Sequence, residues 1–366
     1  MERNRETDMS IQGAYGFRLT GVGLPLDLVE LPALEPGDDE VIVKVAGCGV
    51  CHTDIGFAYD GVPTRHALPL VLGHEITGHV TATGVNAQQW LGKSVIVPAV
   101  IPCGKCPACL AGRPTTCRKQ FMPGNDGDGG FASHVRVPAH GLCAVPEKLP
   151  AGATLESLSV VADAVTTPFE AIRRSGLQAG DAAVVVGAGG IGAFGVQIAA
   201  AIGAKVIAID IDPDRLQMAQ QYGATQVLNS DRMEEKELKL AVRNFASEFA
   251  QPGSTLKIFE MSGAAAGQAL AFNLLDFGAY LAVVGFTPKK VEIRLSNLMA
   301  FDATARGNWG CPPDQYPAAL DLVLSGKVAI EPFVEKHPLN EAPEVLNGVH
   351  RHAFHRRVVL VPNGND

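Results

Sequence analysis

The stretch AAVVVGAGGIGAFGVQIAAAIGAKVIAID, residues 182–210, decides the fold. It opens with strand character, turns through Gly187-Ala188-Gly189-Gly190-Ile191-Gly192, continues as an apolar helix-like segment and returns as a second strand. A G-x-G-x-x-G step between a strand and a helix is the context in which that motif carries weight. The glycines permit a tight turn, let the backbone approach a pyrophosphate and let helix and strand pack closely, while the helix N-terminus offers N–H groups to the phosphates. Asp210, 18 residues past Gly192, ends the next strand. A carboxylate there accepts hydrogen bonds from ribose hydroxyls and repels a 2′-phosphate, so the expected dinucleotide is NAD rather than NADP. Arg215 brings a cation toward the same edge, but Asp210 and Asp212 stand closer to it in sequence.

Working outward, TQVLN, LKIFEMS and AYLAVVG alternate with helix-like segments such as DPDRLQMAQQYG, the rhythm of a doubly wound α/β sheet of the Rossmann type. Before about position 160 the chain is different: VIVKVAG, ITGHVTATG, SVIVPAV and ASHVRVPA are short β-branched runs separated by Gly and Pro, which predicts a mostly β domain. A chain of 366 residues is long for one core, and two domains are expected: 1–163 with 307–366, and 164–306 as the dinucleotide-binding domain. Residues 182–204 are uncharged and long enough to span a bilayer, but six glycines and the strand just beyond them favour strand, turn and buried helix. The N-terminus MERNRETDMSIQ is polar, with no secretory pattern, and predicts a cytoplasmic protein. The net charge of −8 argues against a general nucleic-acid binder, and no membrane partner is expected.

CGKCPACLAGRPTTC places cysteines at 103, 106, 109 and 117. Three thiolates spaced by two residues, closed by a fourth after a small loop, make a tetrahedral structural zinc site with no vacant position; two disulfides or an iron–sulfur cluster are the alternatives. Cys51 and His74 sit in separate β segments, each near a carboxylate, in Cys51-His52-Thr53-Asp54 and Gly73-His74-Glu75. One thiolate and one imidazole suggest a second zinc, although either residue alone is more often a packed core residue.

Together these motifs resemble the zinc-dependent medium-chain alcohol dehydrogenases, from about Phe17 to the C-terminal VVLVP. The resemblance implies a GroES-like catalytic domain beside the Rossmann domain, a catalytic and a structural zinc in each subunit, NAD as cofactor, and a homodimer or homotetramer. It makes Cys51 and His74 the first two ligands of an open catalytic zinc. The family's third ligand is usually a cysteine four residues before a threonine; here that register, ADAVTTPFEA, gives Asp163 before Thr167, with Glu75 as a further candidate. By the same likeness Asp54 holds the second nitrogen of His74, Thr53 relays the alcohol proton, His52 lies near the pyrophosphate, and Val283 and Gly285 meet the nicotinamide with their backbone. Where many relatives carry a histidine as proton exit, this chain has Gly56. The resemblance of the whole sequence, including residues 307–328, GNWGCPPDQYPAALDLVLSGKV, to members acting on CoA thioesters implies a cyclic hydroxyacyl-CoA substrate from aromatic degradation, with Arg65, Lys119, Lys289, Lys290 and Arg306 as candidate phosphate partners. An enone product held at zinc would also be open to water addition with Glu75 as base. A general secondary alcohol or polyol dehydrogenase, a zinc-free quinone-reductase-like relative and a non-enzymatic NAD-binding structural or sensing protein are the rival readings.

Overall fold

The computed structural model describes residues 10–249 and 253–362; the polar N-terminal residues 1–9 lie outside it. The chain forms two compact units, one of residues 1–163, 312–317 and 334–366 and one of residues 164–311 and 318–333.

The second unit is a six-stranded parallel sheet in the order Gln226–Asn229, Lys205–Asp210, Ala182–Val186, Lys257–Glu260, Tyr280–Val283, Thr304–Gly307. In chain order this is 3-2-1-4-5-6, the Rossmann arrangement, in which the order reverses at the first strand and ligands sit beyond the strand ends. All residues of Ala182–Val186 are buried, as expected for a strand covered on both faces. The helix Gly192–Ile202 begins within six residues of that strand, so the uncharged stretch is strand, turn and helix. Among the described residues no helix is long and apolar enough to cross a membrane. The helix Pro213–Gln221 is begun by Asp212, whose carboxylate accepts the N–H groups of Asp214 and Arg215, with Pro213 in the first helical turn.

The sequence pattern assigns everything from residue 307 onward to the first unit; residues 307–311 and 318–333 pack with the second instead. Gln197 exchanges two hydrogen bonds with the backbone of Ala329, at 2.8 and 3.2 Å, and the Phe333 ring lies against Phe194 and Tyr222. These segments return to helices already formed earlier in the chain, and hydrophobic periodicity does not say which core an apolar face will join.

The first unit is built on a seven-stranded sheet whose central strand, Glu40–Gly49, pairs antiparallel with Glu75–Thr83, His134–Pro138 and Arg357–Val361. Val41, Ile42 and Val43 are fully buried along it, and the core continues through Leu19, Leu70, Phe131 and Leu360. The register brings three distant segments together. Gly49 lies opposite both Glu75 and Val359, so the end of the central strand, the start of the next and the last strand of the chain meet at one point.

Candidate active site and metal centres

At that meeting point Cys51 begins the helix His52–Ala58. Its N–H donates to Asp54 Oδ2 at 2.9 Å, while Asp54 Oδ1 accepts the Gly73 N–H and faces His74 Nδ1, both at 3.2 Å. Asp54 is fully buried and ties the two ligand-bearing segments together. With Nδ1 donating to a carboxylate, the lone pair of His74 is on Nε2, the tautomer a metal needs. Nε2 is buried and has no hydrogen-bond partner among the described residues. It lies 3.7 Å from Asp163 Oδ2, which is 3.9 Å from Cys51 Sγ; Thr53 Oγ1 is 3.8 Å from the same sulfur. An imidazole nitrogen, a thiol and a carboxylate whose donor atoms lie within 4.8 Å of one another are a set that fits zinc. Without a cation, burial works against the charged imidazole, but the charge of Asp54 and the nearby groups of Asp163 and Cys51 outweigh it and hold His74 well above the ordinary histidine range.

Glu75 belongs to the same cluster, yet both its oxygens face Arg357: Nε donates to Oε2 at 2.8 Å and Nη2 to Oε1. Burial pushes the Glu75 carboxyl up and Arg357 pulls it back; the guanidinium, facing that carboxylate, is held firmly protonated. The sequence reading did not find Arg357. It lies 282 residues from Glu75, and its one signal is a charged residue opening the apolar strand RVVLV. Tyr316 was missed for the same reason: its hydroxyl donates to Ala162 O at 2.5 Å and accepts the Ala99 N–H at 3.1 Å, fixing the residue before Asp163.

Cys103, Cys106, Cys109 and Cys117 form no disulfide, and their sulfurs stand 3.5 Å (106–109), 3.7 Å (106–117) and 3.5 Å (103–117) apart. Four sulfurs each about 2.3 Å from one Zn²⁺ are about 3.8 Å from each other, so the set needs little adjustment. The Lys105 N–H beside Cys103 lowers that thiol to about 6, whereas desolvation and the sulfur of Cys106 push Cys109 up to about 12.

In the second unit Gly187 has φ +90°, and a Cβ there would sit 2.5 Å from Ser262 Cα. A Cβ on Gly192 would run into the carbonyl oxygen of Gly187. At Gly187 and Gly192 there is therefore room for backbone only, and the loop's N–H groups with the helix start at Gly192 form a cradle that fits a pyrophosphate. Asp210 accepts the N–H groups of Ala188 (2.7 Å), Ile211 (2.8 Å) and Asp212 (3.0 Å). A carboxylate has about four acceptor positions, so Oδ2 keeps one toward the ribose edge. Arg215 leans over the loop, 3.4 Å from where a Gly189 Cβ would be, and 3.6 Å from Asp212. Gly190 and Ile191 complete the turn, Thr167 O accepts from Asn308 at 3.2 Å, Val283 ends the fifth strand of the sheet and Gly285 lies two residues beyond it. Glu260, also missed, is a fully buried carboxylate that takes the N–H groups of Ser262 and Gly263 and the Ser262 hydroxyl.

Residues 37–147 match the alcohol dehydrogenase GroES-like domain, and residues 190–325 match the zinc-binding dehydrogenase family. An alcohol dehydrogenase of Geobacillus stearothermophilus is 31% identical over 342 residues, 92% of this chain and 95% of that protein. The chain belongs to the zinc-dependent medium-chain alcohol dehydrogenases. Among solved structures, the galactitol-1-phosphate dehydrogenase of Escherichia coli aligns with this alcohol dehydrogenase at a TM-score of 0.84, with 26% identity over 95% of this chain and 100% of that one. The acetophenone reductase of Geotrichum candidum, solved with NAD, gives 0.81, with 27% identity over 96% and 98%. The alcohol dehydrogenase described here is thus an oxidoreductase with NAD and Zn²⁺ as cofactors, and its fold is the Rossmann plus GroES-like pair.

Proposed function

We propose that Cys51, His74 and Asp163 hold the catalytic zinc, that the four cysteines of residues 103–117 hold the structural one, and that the enzyme oxidises the ring secondary alcohol of 6-hydroxycyclohex-1-ene-1-carbonyl-CoA to the 6-oxo thioester. The observation that carries the chemistry is the buried, partnerless His74 Nε2 facing Asp163, with the Cys51 thiol beside that carboxylate. Bound there, zinc would supply Lewis acidity for the alcohol oxygen and NAD would supply the hydride acceptor. The chain does the rest. Asp54 fixes the ring of His74 through Nδ1, and Thr53, half-buried beside Cys51, takes the alcohol proton and passes it outward. Gly56 has no side chain to carry it further, so the proton leaves through water. Gly187–Gly192, Asp210 and Arg215 bind the adenosine diphosphate part of NAD, Val283, Gly285 and Thr167 its nicotinamide end, and His52 its phosphates. Glu75, engaged by Arg357, is a neighbour that reaches the metal only by leaving the guanidinium.

The substrate reading is supported by the resemblance of the whole sequence, including residues 307–328, to members acting on CoA thioesters, and by Lys119, Lys289, Lys290 and Arg306 standing exposed, whereas Arg65 is paired with Asp126 at 3.3 Å. A polyol or polyol phosphate is the second reading, favoured by the 28% identity with galactitol 1-phosphate 5-dehydrogenase of Escherichia coli. NAD reduction measured with the CoA thioester, the free cyclic alcohol and galactitol 1-phosphate separates them: rapid NADH formation with the thioester alone supports the first, and turnover of the phosphate alone sinks it. Incubating the oxo product without NAD tests water addition to the enone, which falls if no hydrated species forms. The exposed edge strand Thr304–Gly307 and the exposed Ile293 and Leu295 support a homo-oligomer built through the Rossmann domains in the cytoplasm, to be checked by sedimentation.

A further inference from the structure

In the second unit the loops that follow the first, fourth and fifth strands of the sheet leave neighbouring strand ends and pack backbone against backbone. Ser262 stands against the glycine turn: a Cβ on Gly187 would lie 2.5 Å from its Cα. On the other side, a Cβ on Gly285 would run into the Gly263 nitrogen, and one on Gly263, at φ +64°, would lie 2.9 Å from Phe286 O. Ser262 and Gly263 are thus wedged between the turn 187–192 and the segment 284–286. Glu260 shapes this middle loop, its Oε1 accepting the N–H groups of Ser262 at 2.9 Å and Gly263 at 3.2 Å and the Ser262 hydroxyl at 2.5 Å. The outer segment hangs from the same residue, because the N–H groups of Val284 and Gly285 both donate to Glu260 O, at 2.9 and 3.1 Å. Its carbonyl side is held differently. Val283 ends the strand, and Gly285 O, two residues beyond, accepts from the side-chain amide of Gln268 at 2.9 Å. Gln268 lies in the helix Ala265–Asn273, which starts from the middle loop. A half-buried amide that could have pointed into water instead crosses from one strand-end loop to the next.

We propose that Gln268 is a positioning residue for the nicotinamide end of the dinucleotide, a role that rests on the reading of the chain as an NAD-dependent dehydrogenase. In a sheet whose order reverses at its first strand, each half serves one mononucleotide. Asp210 ends the second strand and marks the adenosine half, so the segment 284–286, beyond the fifth strand, serves the nicotinamide half. Backbone that is to meet a planar carboxamide has to be held within about 0.5 Å of its place. Gln268 fixes Gly285 O without touching the ligand, and Glu260 fixes the loop against which that segment rests. The hydrogen bonds that shape the adenosine half, from the N–H groups of Ala188, Ile211 and Asp212 to Asp210, are made without Gln268, so the loss of its amide should be felt at the nicotinamide alone.

Gln268→Leu keeps most of the volume and removes the donor, and Gln268→Asn keeps the amide on a stem too short to reach. Calorimetric titration with NADH and with ADP-ribose, which lacks the nicotinamide ring, reads the effect, beside a thermal melt of each variant. We expect both variants to bind NADH about tenfold more weakly than the parent, equivalent to about 1.4 kcal/mol, and ADP-ribose within about twofold of it. Equal weakening of both probes would mean that Gln268 only supports the fold of the second unit, and undiminished NADH binding would mean that its amide positions nothing. Either result overturns the proposal, while NADH binding by the parental protein leaves the dinucleotide reading intact. A parental protein that binds neither probe overturns that reading, and the role of Gln268 with it.

Discussion

A carboxylate ligand at position 163 would donate less charge to a bound cation than a thiolate does, and would leave the metal a stronger Lewis acid but a less tightly held one. If Asp163 is a ligand, Asp163→Ala should lower bound zinc from two ions per chain toward one and reduce kcat/KM by roughly a thousandfold, while Asp163→Cys should keep both ions; metal analysis beside initial rates checks this, and a fully loaded, fully active Asp163→Ala would exclude the role. Asp163 is placed by a residue that touches no substrate. Tyr316 donates to Ala162 O at 2.5 Å and receives the Ala99 N–H, all within one unit. Tyr316→Phe leaves a buried carbonyl and a buried N–H without their partner, at a cost of about 1–3 kcal/mol. It should also lower kcat by about tenfold with little change in NADH affinity, since a displaced ligand misplaces the alcohol and not the dinucleotide.

Strand ends assemble the site at the next scale, and they also mark the limit of what the sequence discloses. The glycine loop, Asp210 and Arg215 lie within 29 consecutive residues, so one strand, one turn and one helix place them, and their arrangement was readable in chain order. Cys51 and His74 were readable as motifs, but their convergence with Asp163 came only through a family resemblance, because no local period connects position 163 to position 51. Arg357 was invisible, since its partner is set by the register of the last strand on the central one. That ion pair is fully desolvated, and breaking it by Arg357→Ala should cost about 3–5 kcal/mol, because a buried carboxylate is then left alone. Burial already raises the Glu75 carboxyl, and loss of the guanidinium raises it further. A raised carboxyl pKa means that the folded state binds the extra proton, so stability falls as pH rises through the window between the unfolded and folded values. The deficit of Arg357→Ala should therefore be largest near pH 8 and shrink on acidification toward about pH 5, read from urea midpoints; a deficit independent of pH would mean that Glu75 is not the group responsible.

Across the whole molecule, the candidate metal ligands and the glycine loop belong to different units. Cys51, His74, Glu75, Asp163 and the four cysteines of residues 103–117 all belong to the first unit, and Gly187–Gly192, Asp210, Arg215, Val283 and Gly285 all belong to the second. Each unit has its own core, one around Val43, Leu72, Phe131 and Leu360 and one around Val184, Ile207, Ile258 and Leu281. Composition shifts made this division legible in outline, but residues 318–333 return to the second core by side-chain fit that no motif announces. Binding energies carried by separately packed units should be nearly independent, because mutations that share no partner are close to additive. Cys51→Ala should therefore lose the catalytic zinc and at least a thousandfold in kcat/KM, yet bind NADH within about threefold of the parental Kd, as followed by quenching of intrinsic fluorescence. A parallel collapse of NADH affinity would mean that the zinc site organises the glycine loop, and the partition of the chemistry between the two units would have to be abandoned.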